Sequence, residues 1–457
     1  MSQTKTNNTY DIIIIGGGIA GIYTAYQIAK EFKNTNFLVI EGSNRFGGRI
    51  HTINNLEAGA GRFSHSHKHL MELIDELGLK NKLNIATAKS EYFPIDKTDI
   101  PTESSTNLFY KLLEWYLKKP PNHLTELIAK VVVSSKIEKR EYLQSVSFTQ
   151  YAKTILNSEE IKYVYDAFGY YSELVIMNAY DAIQLIENLD PRNKFYTLKG
   201  GLSQVIDKMM EYIQKKTRQN PFIKNQPVID IQIQADNLAH KYIIKCNKNQ
   251  TYLANKVICA LPKQVVETIP IFQTKTILSS LHKIKCAPLC RIYSKFAPSC
   301  IDDVNKKFKK NEVWFKNLPK FTTNNYLRMV IPISVEKGLI MISYTDNKFA
   351  EYWYNLYSKK GIAAVNTKIA ALMKESTDID IPEPLETFVY YWPCGVGYWG
   401  VGANSHKISQ KMIKPFIKEE IYVCGEHYSE RNQQWIEGAL DTSQTVLDII
   451  DSSSSHL

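Results

Sequence analysis

The sequence contains no apolar run approaching the roughly 20 residues that a membrane-crossing helix needs, so a membrane-spanning chain is excluded as an expectation. It has no cysteines at zinc-ribbon spacing. Cys246, Cys259, Cys286, Cys290, Cys300, Cys394 and Cys424 are scattered, which argues for reduced, mostly buried thiols and for no metal. Internal repeats and long low-complexity tracts are absent, which argues against solenoids and disordered chains. The first ten residues are polar and lead straight into a strand-like run, so no signal peptide is read and a cytoplasmic location is expected. The formal charge is +10, but the lysines are dispersed. Their densest run, Lys306 to Lys310, reads as a solvated loop, so neither nucleic acid nor membrane is an expected partner. What remains is a chain of 457 residues, 44% apolar and 22% charged, which is the composition of a globular protein with two domains.

The N-terminus carries the first chemical signal. Asp11 to Ile15 is a β-branched run, read as a buried parallel strand. Gly16-Gly17-Gly18-Ile19-Ala20-Gly21 follows at once. In this pattern Gly16 permits a tight turn, Gly18 lets the backbone approach a pyrophosphate, and Gly21 allows close helix–strand packing. Ile22 to Phe32 then reads as a helix whose N-terminus favours phosphate. A second strand, Asn36 to Ile40, ends in Glu41, an acid placed to accept hydrogen bonds from a ribose diol. Strand, loop, helix, strand and acid together predict a dinucleotide-binding unit.

A second, more specific string follows: Glu41-Gly42-Ser43-Asn44-Arg45-Phe46-Gly47-Gly48-Arg49. Adjacent glycines such as Gly48, flanked by Arg45 and Arg49, provide another backbone approach to a pyrophosphate and a charged partner for it. With this string the chain resembles the flavin-containing amine oxidase family of monoamine, polyamine and L-amino-acid oxidases. The resemblance extends over essentially the whole chain. Leu56 to Arg62, including Gly61, is similar to the segment that passes beside the flavin. Leu70, Leu73, Ile74 and Leu77 recur at helical spacing and Gly78 closes that helix. Lys199 to Ser203 looks like the return to the cofactor domain, Pro227-Val228-Ile229 like the strand that meets adenine, and Val257 to Pro262 like a further family strand. Near the C-terminus, strand Ile421 to Cys424, then Gly425-Glu426, then Trp435-Ile436-Glu437-Gly438-Ala439 opening a long helix, resemble the part that holds the ribityl chain and the pyrimidine edge. A helix N-terminus there stabilises the negative charge of a reduced flavin.

The resemblance implies an α/β fold: a Rossmann-type FAD-binding domain (1–79, 195–284 and 388–457) with a discontinuous α+β substrate-binding domain (80–194 and 285–387). It also implies an oxidoreductase that moves a hydride equivalent from an amine or L-amino acid to flavin N5. Oxygen or another acceptor then reoxidises the flavin, with hydrogen peroxide as the product when oxygen is used. Oligomeric state stays open, a homodimer among the options.

Several positions bear on the chemistry. Trp435 stands where the family has one ring of an aromatic pair, and Tyr398, with Trp399 in reserve, is the expected second ring. Trp392 opens that segment and is expected near the flavin. Family members with a covalent flavin use a cysteine at the position of Gly397, so non-covalent FAD is expected and Cys394 is expected to be a plain thiol. Arg62 matches an arginine that grips substrate carboxylate in L-amino-acid oxidases, a task suited to a bidentate guanidinium; Arg328 is a second candidate. The family's active-site lysine is replaced here by Arg291, in Arg291-Ile292-Tyr293-Ser294-Lys295-Phe296. That departure keeps one rival open, an FAD-stabilised protein without turnover; a second rival, a flavin oxidase or desaturase of a non-amine substrate, stays open because the same fold hosts such enzymes. His65, His67 and His69 are read as a solvated turn rather than a metal site.

Overall fold

The computed structural model describes residues 8–32, 34–86, 91–92, 123–188, 194–217, 220–234, 241–297, 299–301, 308–310 and 313–454. The β-branched run forms strand Thr9–Ile15, and its alternation decides two cores. Ile12 and Ile14 face one side, packed with helix Ile19–Glu31 and the C-terminal helix Ile436–Ser454. Ile13 and Ile15 face the other side, packed with Phe272, Leu281 and Trp399. This two-sided burial is what a parallel strand covered on both faces requires.

Seven strands form the first sheet among the described residues. Thr9–Ile15 pairs in parallel with Phe37–Ile40 on one side and Thr251–Cys259 on the other. Phe222–Ile223 and Ile421–Val423 extend the parallel part, and Tyr242–Cys246 and Val228–Ile233 add an antiparallel flap. This is the α/β, Rossmann-type unit expected from the glycine motif. Its loops at the carboxyl ends of the parallel strands open into one crevice, where ligands bind in such sheets.

The second sheet is largely antiparallel and runs in the order Glu386–Trp399, Ile284–Lys295, Leu339–Asp346, Met329–Ser334, Phe321–Thr322, Glu91–Tyr92. The long strand Glu386–Trp399 crosses the boundary proposed at residue 388 and pairs with Ile284–Lys295 along almost its whole length. Behind the sheet lie two helical segments within Asn347–Thr377 that meet at Gly361, whose φ of 75° interrupts the helix. A helical layer between His123 and Asn188 packs its own core, and Tyr398 is buried against it. The run Lys306 to Lys310, read as a loop, ends instead in strand Phe308–Lys310; residues 306 and 307 lie outside the described residues. No helix among the described residues is long and apolar enough to cross a membrane.

Candidate active site

A continuous cavity of about 1700 Å³ runs from the glycine loop of the first sheet to the second sheet and the helical layer. Pockets for single small molecules hold roughly 300–1,000 Å³, so this one accommodates a dinucleotide together with a substrate.

The glycine loop meets its steric roles. Gly16 has φ 105°, and a Cβ there would fall 2.3 Å from the Ala260 carbonyl oxygen. A Cβ at Gly21 would strike the Gly16 carbonyl oxygen. Gly18 differs, because an added Cβ would meet only Gly48 Cα, at 3.9 Å, with open cavity beyond. That open cradle, with the helix Ile19–Glu31 starting behind it, suits a pyrophosphate. Glu41 lines the cavity and is already oriented: its carboxylate accepts Gly17 N–H and Ser43 N–H, each at 2.7 Å. Val228 lines the same end. These residues fit the ADP part of a flavin dinucleotide.

Arg45 and Arg49 part company. Arg45 donates to the carbonyls of Phe46, Gly48 and Ile50, so its guanidinium holds the glycine loop itself together. Arg49 reaches across to the C-terminal part, bonding Gly395 O at 3.0 Å and pairing with Glu426. Glu426 is buried and also accepts Gly397 N–H and Gln434 N–H. Burial alone would raise its carboxyl, but His427 and Arg49 beside it hold it well below the usual carboxylate range. Gly425 adopts φ 134°, a conformation side chains disfavour, and Ile436 opens the last helix at the cavity wall.

The other half of the cavity contains the reactive-looking side chains. Gly61 gives Arg291 room: a Cβ there would lie 3.0 Å from Arg291 Nη1. Arg291 donates to Glu57 O at 3.0 Å and lies over the Tyr344 ring. Trp392 donates Nε1–H to Ala58 O at 2.6 Å. Trp435 stacks on Phe195 at 6.0 Å and meets His67 edge-on at 4.9 Å. Arg62 lies over Phe195 and Trp435 and donates to Tyr170 Oη at 2.8 Å. No Asp or Glu lies within ion-pair distance of it among the described residues. Tyr398 is buried and lines the cavity, whereas Trp399 points to the opposite face and donates to Ser429 O and Glu430 O. Successive residues of a strand face opposite sides, which separates the pair.

Several expectations change. Arg328 does not reach the cavity. It is 1% exposed and is spent on the carbonyls of Tyr165, Asp166 and Thr323. Of the three histidines, His65 is exposed in a turn as expected, but His67 is buried against Trp435, and burial lowers its pKa to about 4. Cys286 and Cys394 are not free thiols but a disulfide, while Cys246, Cys259, Cys290 and Cys424 are free and buried as expected.

The cavity also holds side chains without a motif of their own. Lys320 is half-buried, and burial together with Arg62 lowers its pKa to about 8. Glu173 is 4% exposed, its Oε2 has no hydrogen-bond partner, and burial and Asp346 push its carboxyl well above the usual range. Tyr170 and Tyr344 complete the wall.

Comparison with known proteins matches this geometry. The family model for flavin containing amine oxidoreductases covers residues 19–446. Aplysianin-A of Aplysia kurodai is 22% identical, over 97% of this chain and 90% of that protein. Flavin-containing amine oxidase A of Equus caballus is 33% identical over a shorter stretch, 20% of this chain and 19% of that protein. Among solved structures, wild-type putrescine oxidase bound to putrescine superposes with a TM-score of 0.70 at 17% identity, covering 97% of this chain and 99% of that one. At that identity the likeness speaks to the fold.

Proposed function

The chain belongs to the flavin-containing amine oxidoreductase family, and from that premise we propose that it oxidises an amine bearing a carboxylate, an L-amino acid, to the imine, using non-covalently held FAD. When bound, FAD supplies the two-electron acceptor for the hydride leaving the carbon that bears nitrogen, and oxygen as final acceptor yields hydrogen peroxide. Everything else falls to the chain. Gly18, Gly48 and Glu41 would hold the ADP half, and Glu426, Arg49, Trp392 and the start of the last helix the flavin half. Trp435 and Tyr398 would form the slot that orients the amine and excludes water. Glu173 faces the same space and, being hard to ionise, would stand there as a neutral acid able to donate a hydrogen bond.

The observation that carries the substrate class is Arg62. Its guanidinium is set between aromatic rings in the cavity wall, with Lys320 nearby and no protein carboxylate paired to it among the described residues. A planar, permanently charged donor in that setting suits a substrate carboxylate. Anaerobic mixing of the holoprotein with L-amino acids and with the matching decarboxylated amines tests this. Flavin bleaching by the amino acids supports the proposal, and bleaching by the amines alone rejects the carboxylate. No bleaching by either set favours a flavin enzyme of a non-amine substrate or a protein without turnover.

A further inference from the structure

The disulfide Cys286–Cys394 sits where the second sheet cannot hold itself together. Pairing between the two long strands passes from Ala287 opposite Val396 to Leu289 opposite Trp392. Pro288 therefore faces the three residues Pro393, Cys394 and Gly395. Proline has no N–H to give to a ladder, and a bulge with a proline on each strand loses its cross-strand hydrogen bonds. The covalent link closes this gap.

Its setting differs from that of the other described cysteines. Cys246, Cys259, Cys290 and Cys424 are fully enclosed, whereas Cys286 and Cys394 are half-exposed and Cys394 lines the cavity. Polar groups surround the sulfurs. Gln264 Oε1 lies 3.5 Å from Cys394 Sγ and 3.8 Å from Cys286 Sγ. His427 Nε2 lies 3.8 Å from Cys394 Sγ. The tautomer of His427 follows from its other nitrogen, because Nδ1 accepts Lys263 N–H at 3.0 Å and Nε2 therefore carries the proton. That proton is directed at the Glu426 carboxylate, 3.0 Å away, so the group beside Cys394 is the Gln264 amide oxygen, an acceptor for a thiol.

We propose that Cys286 and Cys394 form a reversible thiol–disulfide exchange site opening into the cavity, with Cys394 as the sulfur that meets small thiols of the glutathione class. In reduction, the small thiolate attacks Cys394 Sγ, the S–S bond breaks, and Cys286 leaves as a thiolate that takes a proton from solvent. A second small thiolate then attacks the sulfur of the adduct, releasing Cys394 and the small disulfide. The net change is one protein disulfide and two thiols giving one protein dithiol and one small disulfide, a transfer of two electrons. Reduction leaves the bulge that carries Gly395, the carbonyl partner of Arg49, without its covalent clamp. The proposal does not depend on the substrate or on turnover.

The test uses the full-length, flavin-loaded protein with Cys300→Ser, so that this separate thiol does not contribute. The protein is equilibrated in glutathione redox buffers, quenched in acid and alkylated, and each cysteine is read by peptide mass. Cys286 and Cys394 should convert together in one two-electron transition while the four enclosed cysteines stay constant. With Cys286→Ser, oxidised glutathione should add to Cys394. With Cys394→Ser, addition to Cys286 should be at least about tenfold slower, because access governs exchange. A disulfide that persists in reduced glutathione until the protein unfolds overturns the proposal. So does a pair that never oxidises, or an adduct that prefers Cys286.

Discussion

The imidazole of His427 occupies the space that a side chain at Gly397 would need: a Cβ there would fall 2.7 Å from His427 Cδ2. The sequence resemblance places residue 397 where relatives with a covalent flavin would attach it, and Cys394, three residues earlier, is committed to Cys286. The yellow protein should therefore release its FAD into the supernatant on acid precipitation. Colour retained in the denatured pellet would contradict this. Gly397→Cys should lower stability by about 1–3 kcal/mol through overpacking, read as a shifted urea midpoint, rather than create a flavin link.

Arg62→Ala should weaken amino-acid substrates far more than their decarboxylated counterparts. Removing one partner of a partly desolvated charge pair costs about 2–5 kcal/mol. The comparison is kcat/KM for each substrate pair in both proteins. Equal losses for acids and amines would place Arg62 in a structural role, holding Tyr170 and the rings of Phe195 and Trp435.

The sequence resemblance sets Arg291 at the family's lysine position, and the side chain is anchored by Glu57 O and the Tyr344 ring. A guanidinium so held is charged and fixed, and it lacks the compact ammonium that relatives use to order water. We expect reduction by substrate to be retained and reoxidation by oxygen to be slow, with Arg291→Lys reoxidising faster. Stopped-flow measurement of each half-reaction decides it. Fast reoxidation of the unmodified protein would show that Arg291 does not limit oxygen chemistry, and Lys320, the half-buried lysine that lines the same cavity, would then be the residue to replace.

Glu426 makes stability fall in acid. Its folded-state pKa is depressed, so its contribution is fully present above the ordinary carboxylate pKa and is lost as pH falls below that value. Urea unfolding of the apoprotein between neutral pH and pH of about 3 should show this loss, and Glu426→Gln should flatten it. The variant should also lose about 1–3 kcal/mol at neutral pH, because Arg49, 30% exposed and still bonded to Gly395 O, exchanges its charged acceptor for a neutral one. An unchanged acid slope would mean that other carboxylates dominate.

How much of this was legible depends on whether a residue's role is local. Gly16, Gly21 and Gly425 could be read because turn geometry or a neighbouring backbone atom permits no other residue there. Glu41 could be read because a strand end carries it to the loop it holds. Lys320, Tyr170 and Glu173 could not, because they reach the cavity from segments whose backbone demands nothing unusual. His67 looked like part of a polar turn because the ring that buries it, Trp435, comes 368 residues later in the chain.

The sequence by itself determined the family, the α/β fold and the dinucleotide cradle, since these rest on glycines, strand periodicity and terminal acids acting over a few residues. Tertiary structure alone decided which side chains share a cavity. It turned Arg45 inward to its own loop and Arg49 outward to Glu426, left Arg328 outside the cavity, and joined Cys286 to Cys394 across 108 residues. The physical reason is the same in each case. Local rules set where a backbone can turn, but a side chain's partner is set by the pairing of distant strands and the packing of one layer on another.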